Sequence, residues 1–201
     1  KISFDQIYDE HATYFSVMSV SALFERHDME VVDIAPQDVH GGSMRYVIAH
    51  RGSYPVSEAV KAQQVKEAKM GLRSAATYTR LRQKIEKSRD ELMKLLRDLK
   101  AQGKRVVGYA ATSKSTTVTN YCGMTPELVE FISDTTPIKQ GKFSPGAHIP
   151  VKPYEEFKAR YPDYALLFGW NHSIEIMAKE QDFKKAGGQW IVYVPKVRFI
   201  S

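Results

Sequence analysis

The stretch "KRVVGYAATSKSTTVTNYCG" (104–123) decides the fold class. Residues 104–110 form a short apolar, β-branched run typical of a buried strand, and residues 113–123 have helical character ending at Gly123. The same alternation continues to the end of the chain, with strands predicted at 128–134, 148–151, 164–171 and 189–195 and helices at 154–161 and 173–188. This pattern predicts an α/β fold, a Rossmann-like and mostly parallel sheet with helices on both faces.

Upstream of this region the pattern is different. Apolar spacing predicts a helix over residues 4–18, followed by a short helix with Ser19 as its N-cap candidate. Two β-branched runs then predict strands at 30–36 and 43–51, joined by a tight turn at the Gly41-Gly42 pair. The N-terminal part is therefore expected to be a helix followed by a two-strand segment.

Residues 57–102 are helical throughout, with a break near Gly71, and predict a long helical hairpin. The second helix has an apolar stripe at steps of three and four, formed by Tyr78, Leu81, Ile85, Ser88, Leu92, Leu95 and Leu99. We expect the stripe to pack within the chain, and contact with a second copy in an oligomer is the alternative. The predicted division is 1–56, 57–102 and 103–201, together one compact C-terminal domain of a longer protein, since the first residue is Lys1.

Composition narrows the classes of protein. The chain has 201 residues, of which 43% are hydrophobic and 26% charged, as in ordinary globular proteins. The single Cys122 excludes an internal disulfide and a zinc site built on several cysteines, and no metal ligands are predicted. Because the sequence has neither a membrane-spanning run nor a signal pattern, a cytoplasmic protein without a membrane partner is expected.

The net charge of +6 is concentrated in the helical hairpin. Residues 57–105 contain 14 Lys or Arg and 6 Asp or Glu, a local balance of +8. Such a run is more often a solvated helix face than a nucleic-acid surface. Nucleic-acid binding is therefore the weaker hypothesis, and it predicts a steep salt dependence.

Ligands of such sheets bind beyond the carboxyl ends of the strands, where Tyr109, Asp134 and Asn171 are placed. After the first of these strands, a helix beginning near Ser113 and Lys114 would offer free N–H groups to an anion. An ordinary turn with Ser113 as N-cap is the alternative. The positively charged loop 137–150, with Lys139 and Gly141, is a second candidate for ligand binding. Trp170 is a third candidate, which could stack on a base or be a core residue.

"YDEHATYFS" (8–16) places a phenol, two carboxylates and an imidazole together. On a helix Tyr8 and His11 would share a face, with Glu10 beside His11. An imidazole suits general-base work near neutral pH, a carboxylate can fix its tautomer, and a phenol can donate to an oxyanion. From the residues alone, however, a His on an apolar stripe is more often structural, so both interpretations stay open.

Several stretches together resemble the C-terminal half of the S-adenosylmethionine-dependent sugar C-methyltransferases. They are "FDQIYDEHATYFS", "HGGSMR", "GYAATSKS", "IKQGKFSPGAHIPV" and "PDYALLFGWN". The resemblance implies methylation at C-3 of a nucleotide-linked 4-keto-deoxysugar, with a nucleoside-diphosphate sugar as the ligand. It also implies His11 as the base for the C-3 proton, Glu10 as its support and Tyr8 near the keto oxygen.

The same resemblance implies that the resulting enolate attacks the methyl group of the cofactor. The substrate pocket would be lined by residues of three segments: His40, Gly41, Gly42 and Ser43; Tyr109, Ser113 and Lys114; and Lys139, Gly141, Trp170 and Asn171. The main alternative to a methyltransferase function is a Rossmann-like module that binds a nucleotide or nucleotide-sugar and does not catalyse a reaction.

The chain departs from the family pattern in three respects. Asp9 stands where the family usually has His, which leaves a different substrate open. Ala110 and Ser115 stand where it usually has Gly, so the backbone would approach a ligand less closely. The family's domain for S-adenosylmethionine and its Cys-rich zinc region lie upstream, so this chain alone is expected to be inactive and to have that domain as its partner.

Overall fold

A computed structural model describes residues 3–200 of the chain. It has two compact units, one formed by Lys1–His11 with Arg82–Ser201 and the other by Ala12–Leu81. The three-part division expected from the sequence stays a prediction about domain boundaries. Among the described residues, none of the helices combines the length and the apolar character that crossing a membrane requires.

The elements follow one another along the chain in this order: α1 Val17–Glu25, β1 Met29–Gln37, β2 Ser43–His50, α2 Glu58–Met70, α3 Ala75–Ala101, β3 Val106–Tyr109, α4 Ser113–Cys122, β4 Ile132–Ser133, β5 Val151–Lys152, α5 Tyr154–Ala159, β6 Tyr164–Leu167, α6 Ser173–Lys179, α7 Gln181–Lys185, β7 Gln189–Val192 and β8 Arg198–Ile200. Short 3₁₀ helices lie at Phe4–Gln6, Pro137–Lys139 and Trp170–His172.

The larger unit is built on a six-stranded sheet of order β5-β4-β3-β6-β7-β8. The first five strands in this order are parallel, and β8 pairs antiparallel with β7. The α/β, Rossmann-like prediction is confirmed. The predicted last strand over 189–195 ends earlier, at Val192, and the edge strand β8 was not predicted because its three residues are too few to show a strand pattern.

The core of this unit lies between the sheet and its helices. All four residues of β3 are buried, as a strand covered on both faces requires. The α3 stripe packs on the sheet through Leu92 and Leu99, which confirms packing within the chain for that part of the helix. Near the N-terminal end of α3, Tyr78 and Leu81 are 53% and 42% exposed, so the stripe is not buried along its whole length.

The smaller unit packs α1 and α2 on the β1–β2 hairpin, with a core of Val17, Val20, Val31, Ile34 and Val60. The predicted strands, their glycine turn and the helix break near Gly71 are confirmed, with Gly71 in the left-handed conformation that ends α2. The buried carboxylate of Glu67 accepts the N–H groups of the first two residues of α1, each at 2.9 Å.

The predicted helix over residues 4–18 is wrong. Residues 4–6 form one 3₁₀ turn, and α1 begins only at Val17, with Ser16 rather than Ser19 as its N-cap. The reason is that the apolar residues do not share one buried face: Phe4 is buried, whereas Tyr14 and Phe15 are 56% and 55% exposed.

The helix predicted over 173–188 is interrupted at Glu180, which separates α6 from α7. The carboxylate of Glu180 is buried and accepts hydrogen bonds from the hydroxyls of Tyr109 and Tyr154 at 2.8 and 2.9 Å. The two tyrosines therefore hold the Glu180 side chain at the break between α6 and α7.

Candidate functional site

The sheet reverses its direction of growth between β3 and β6. From β3 the chain goes outward to β4 and β5, and it then returns to β6 on the other side of β3. Open parallel sheets bind ligands beyond the carboxyl ends of the strands at such a switch point. In this unit those ends carry Tyr109 and the turn Trp170–His172, so the predicted residues Tyr109, Trp170 and Asn171 lie at the carboxyl ends of the strands, and their contact with a ligand stays a prediction.

The turn between β3 and α4 is held by Asp134, which directly follows β4. One oxygen of this buried carboxylate accepts the N–H of Ala111 at 2.7 Å and the other accepts the N–H of Thr136 at 2.8 Å. The ammonium of Lys139 lies 3.5 Å from the carboxylate and donates to the carbonyl of Ala111 at 2.7 Å. The lysine predicted as a ligand contact is thereby anchored beside the turn.

The α4 N-cap is Thr112, whose side chain accepts the N–H of Ser115 at 3.2 Å, so the prediction of Ser113 as N-cap is wrong. Ser113 is the first helical residue, so the helix begins one position earlier than that prediction required. Within the turn, Ala110 has φ of +72°, in the left-handed region that favours glycine. A position where glycine would relax the backbone is occupied here by alanine.

A cavity of about 370 Å³ lies between the α4 N-terminus and the loop that follows the Pro137–Lys139 turn. Its polar lining includes Thr112, Ser113, Lys139 and Lys142, and its apolar lining includes Ile138 and Phe143. Gly141 lies in the same loop with φ of +73°. The site therefore combines the positive end of a helix and two lysines with an apolar wall, which suits an anion carrying a flat ring.

Lys114 and Asn171 are brought together although they are 57 positions apart in sequence. The buried ammonium of Lys114 donates to the side-chain oxygen of Asn171 at 3.3 Å. Next to Asn171, the Trp170 ring is buried and its N–H donates to Asp5 at 2.6 Å. This geometry agrees with the core alternative for Trp170, and its contact with a substrate stays a prediction.

Asp5 was not predicted as a site residue. Its side chain is fully buried, and one oxygen accepts both the Trp170 N–H and the Tyr193 hydroxyl, the latter at 2.9 Å. Burial raises the pKa of the Asp5 carboxyl, although these two hydrogen bonds and the charge of Lys114 act in the opposite direction. A signal was present in the sequence, since Asp5 is a lone carboxylate between the apolar residues Phe4 and Ile7.

Residues 8–11 form a turn, so the prediction that Tyr8 and His11 share a helix face is wrong. The turn nevertheless brings the two rings together, with centroids 4.1 Å apart, because the N–H of His11 donates to the carbonyl of Tyr8 at 2.9 Å. The side chains of Asp9 and Glu10 are exposed.

The tautomer of His11 follows from its contact with Gln6. The ring atom Nδ1 lies 2.8 Å from the backbone carbonyl oxygen of Gln6. A carbonyl oxygen only accepts, so Nδ1 carries the proton in this hydrogen bond and, in the neutral ring, the lone pair is on Nε2. The neutral His11 ring thus has its basic nitrogen at Nε2, and the group that fixes this tautomer is the backbone carbonyl of Gln6.

The remaining predicted residues fall into two places. The hydroxyl of Tyr109 is engaged by Glu180, and burial together with this carboxylate raises the pKa of Tyr109 strongly. His40, Gly41 and Gly42 form the β1–β2 turn of the smaller unit, each with positive φ, and Ser43 begins β2. The part of this turn in substrate binding stays a prediction. Within residues 3–200, no group of three His, Cys, Asp or Glu side chains is arranged to hold a metal ion.

Comparison with known proteins gives two findings. The sequence model of the C-methyltransferase C-terminal domain matches residues 38–195. The chain is also 39% identical over 199 residues to the C-methyltransferase NovU of Streptomyces niveus. This match covers 98% of the chain and 47% of that relative, so the chain spans about half of its length.

Proposed function

Because the chain belongs to the family of C-methyltransferase C-terminal domains, we propose that it is the substrate-binding and base-bearing part of an S-adenosylmethionine-dependent C-methyltransferase. The substrate class would be a nucleotide-linked keto-deoxysugar, methylated on the carbon next to the keto group. The observation that carries this proposal is the orientation of His11, whose Nδ1–H donates to the Gln6 carbonyl and leaves the lone pair on Nε2.

His11 would remove the proton from the carbon next to the keto group. As Nε2 takes up this proton, the Nδ1–H bond to Gln6 strengthens, because a charged donor makes a stronger hydrogen bond than a neutral one. The phenol of Tyr8, in ring contact with His11, would donate to the oxygen that becomes negative. A positioned base of this kind contributes about 10²–10⁴-fold in rate.

The cavity at the start of α4 would hold the nucleoside diphosphate. The first N–H groups of the helix and the side chains of Lys139 and Lys142 supply positive charge for the diphosphate. Ile138 and Phe143, which are 74% and 62% exposed, would cover the apolar face of the base and lose that exposure on binding. The charged groups would thus hold the diphosphate, and the apolar side chains would hold the base.

We infer that S-adenosylmethionine itself is not bound by the described residues. In a nucleoside-binding sheet, an acidic residue at the position of Asp134 accepts a ribose hydroxyl. Here both oxygens of Asp134 already accept backbone N–H groups, and the space beside Gly108 is filled by Phe168 and Ile132. The cofactor would supply an electrophilic methyl group from another part of the complete protein, so no step through it is assigned to these residues.

The test is methyl transfer by the complete protein with His11→Ala and with His11→Gln. We expect both variants to lose methylation, while affinity for a nucleoside diphosphate, measured by calorimetry, stays within about threefold because the cavity does not include His11. Glu175→Gln, an exposed change, serves as the matched surface control.

Full methylation by the His11 variants would contradict the role of base. If nucleotide binding persists in a complete protein that does not methylate any keto-sugar, the non-catalytic binding module is favoured. Tight DNA binding that weakens steeply with salt, without any heat on nucleotide addition, would instead assign the basic face of α2 and α3 to nucleic acid.

A further inference from the structure

Asp5 is a buried carboxylate with an unusual set of partners. Of its two oxygens, Oδ2 accepts both the Trp170 N–H and the Tyr193 hydroxyl, whereas Oδ1 is buried and accepts no hydrogen bond from residues 3–200. Taking a carboxylate out of water is expensive, and leaving one of its oxygens without a donor adds to that cost. An apolar side chain at this position would remove the acceptor of two buried donors, the Trp170 N–H and the Tyr193 hydroxyl, so the carboxylate holds these two side chains.

The partners of Asp5 lead to the switch point of the sheet. Trp170 precedes Asn171, which accepts the hydrogen bond of Lys114, and the positive charge of Lys114 acts on Asp5. Tyr193 directly follows β7. One carboxylate thereby joins the N-terminal 3₁₀ turn to the turns that end two neighbouring strands of the sheet.

The same 3₁₀ turn orients His11. Gln6, the residue after Asp5, supplies the carbonyl that accepts His11 Nδ1–H at 2.8 Å. Around it, the Phe4 ring packs against Tyr121 and Tyr193, with centroids 5.5 and 6.2 Å apart. The position of the Gln6 carbonyl, and with it the direction of His11 Nε2, is therefore set by how firmly residues 4–6 are attached to the sheet.

We propose that Asp5 is a positioning residue, whose buried carboxylate attaches the 3₁₀ turn to Trp170 and Tyr193 and thereby holds His11 in the Nδ1–H form. This inference rests on the proposed function, because it gives the base its orientation. Asp5 acts through Gln6 and His11 and does not itself touch the substrate.

The test uses the complete protein with Asp5→Asn and Tyr193→Phe. Asp5→Asn keeps the size of the side chain and removes its charge, and Tyr193→Phe removes one donor while keeping the ring. Tyr154→Phe is the matched control, because it also deletes a phenol hydroxyl 2.9 Å from a buried carboxylate oxygen, that of Glu180. The ¹⁵N shifts of the labelled His11 ring report its tautomer directly, and kcat and KM for methylation are measured in parallel.

We expect the Nδ1–H form to dominate in the unchanged protein and in Tyr154→Phe, and the Nε2–H form to appear in both Asp5→Asn and Tyr193→Phe. The kcat of these two variants should fall about 10–100-fold, with KM changed less than about threefold, as expected for a misdirected base. If Asp5→Asn does not fold, Tyr193→Phe decides by itself.

Unchanged tautomer shifts and unchanged kcat in folded Tyr193→Phe, whatever its thermal stability, would overturn the positioning role. The proposed function fails separately, if His11→Ala keeps its turnover. In that case the ring tautomer in Asp5→Asn and Tyr193→Phe still decides whether Asp5 orients His11.

Discussion

Asp134→Ala removes the carboxylate that closes the β3–α4 turn. Two backbone N–H groups, those of Ala111 and Thr136, lose acceptors at 2.7 and 2.8 Å. Hydrogen bonds to a charged acceptor contribute about 1.5–3 kcal/mol each. Since both donors are only partly buried, we take the lower end and expect a loss of about 3 kcal/mol in the free energy of unfolding. The half-exposed Lys139 adds little to this figure.

Asp134→Asn should cost about half as much, because the amide keeps one acceptor oxygen but no charge. The assay is urea and thermal unfolding of both variants beside Asp182→Asn, whose exposed carboxylate pairs with Lys185 across one helical turn. For a chain of this size, about 1 kcal/mol corresponds to a shift of roughly 2–4 °C in Tm. If Asp134→Ala is as stable as Asp182→Asn, the carboxylate does not hold the turn and the account of the cavity is refuted.

Four other outcomes are expected. Ala110→Gly should stabilise the protein by about 0.5–1 kcal/mol in chemical unfolding, because it removes left-handed strain at φ +72° that exceeds the added freedom of the unfolded chain; a loss of stability would argue against that backbone conformation. Burial raises the pKa of the Cys122 thiol to about 12, so a thiol reagent at pH 8 should label it only at the rate of unfolding, and rapid labelling of the native protein would contradict its burial. The Arg105 N–H holds the pKa of Asp163 below its ordinary value, so this carboxylate stabilises the protein above about pH 4 and its contribution is lost as the pH falls further; unfolding of Asp163→Asn between about pH 2 and 6 should therefore converge with the unchanged protein only at acid pH. Glu67→Ala, which leaves the first two N–H groups of α1 without acceptors, should cost about 3 kcal/mol, whereas the exposed Glu58→Ala should cost less than about 1 kcal/mol when both are unfolded by urea.

Features carried by local sequence were predictable. The helix α2 begins after the side-chain cap of Ser57 and ends at the left-handed Gly71, and both signals are properties of single residues. The parallel sheet followed from apolar runs alternating with helices, because such strands are covered on both faces. For the same reason Tyr109 and Asn171 could be assigned to the carboxyl ends of the strands, while their part in a site stays a prediction.

The partners of the buried carboxylates were not predictable. Asp5 contacts residues 165 and 188 positions away, and Glu67 caps a helix 50 positions before it. A periodic pattern is recognised within about one helix or strand, so it does not indicate contacts between residues this far apart in sequence. The false helix over residues 4–18 has a related cause: spacing shows which residues are apolar, but it does not show that Phe4 is buried while Tyr14 remains exposed.

The central claim is that His11 removes the proton next to the keto group, and isotope exchange tests it most directly. The complete protein would be incubated in D₂O with a nucleotide-linked 4-keto-deoxysugar and S-adenosylhomocysteine, which has no methyl group to give, and deuterium at C-3 would be counted by mass spectrometry. The account predicts rapid exchange with the unchanged protein and loss of about 10²–10⁴-fold with His11→Ala, at unchanged nucleotide affinity. Equal exchange rates in the two proteins would contradict it.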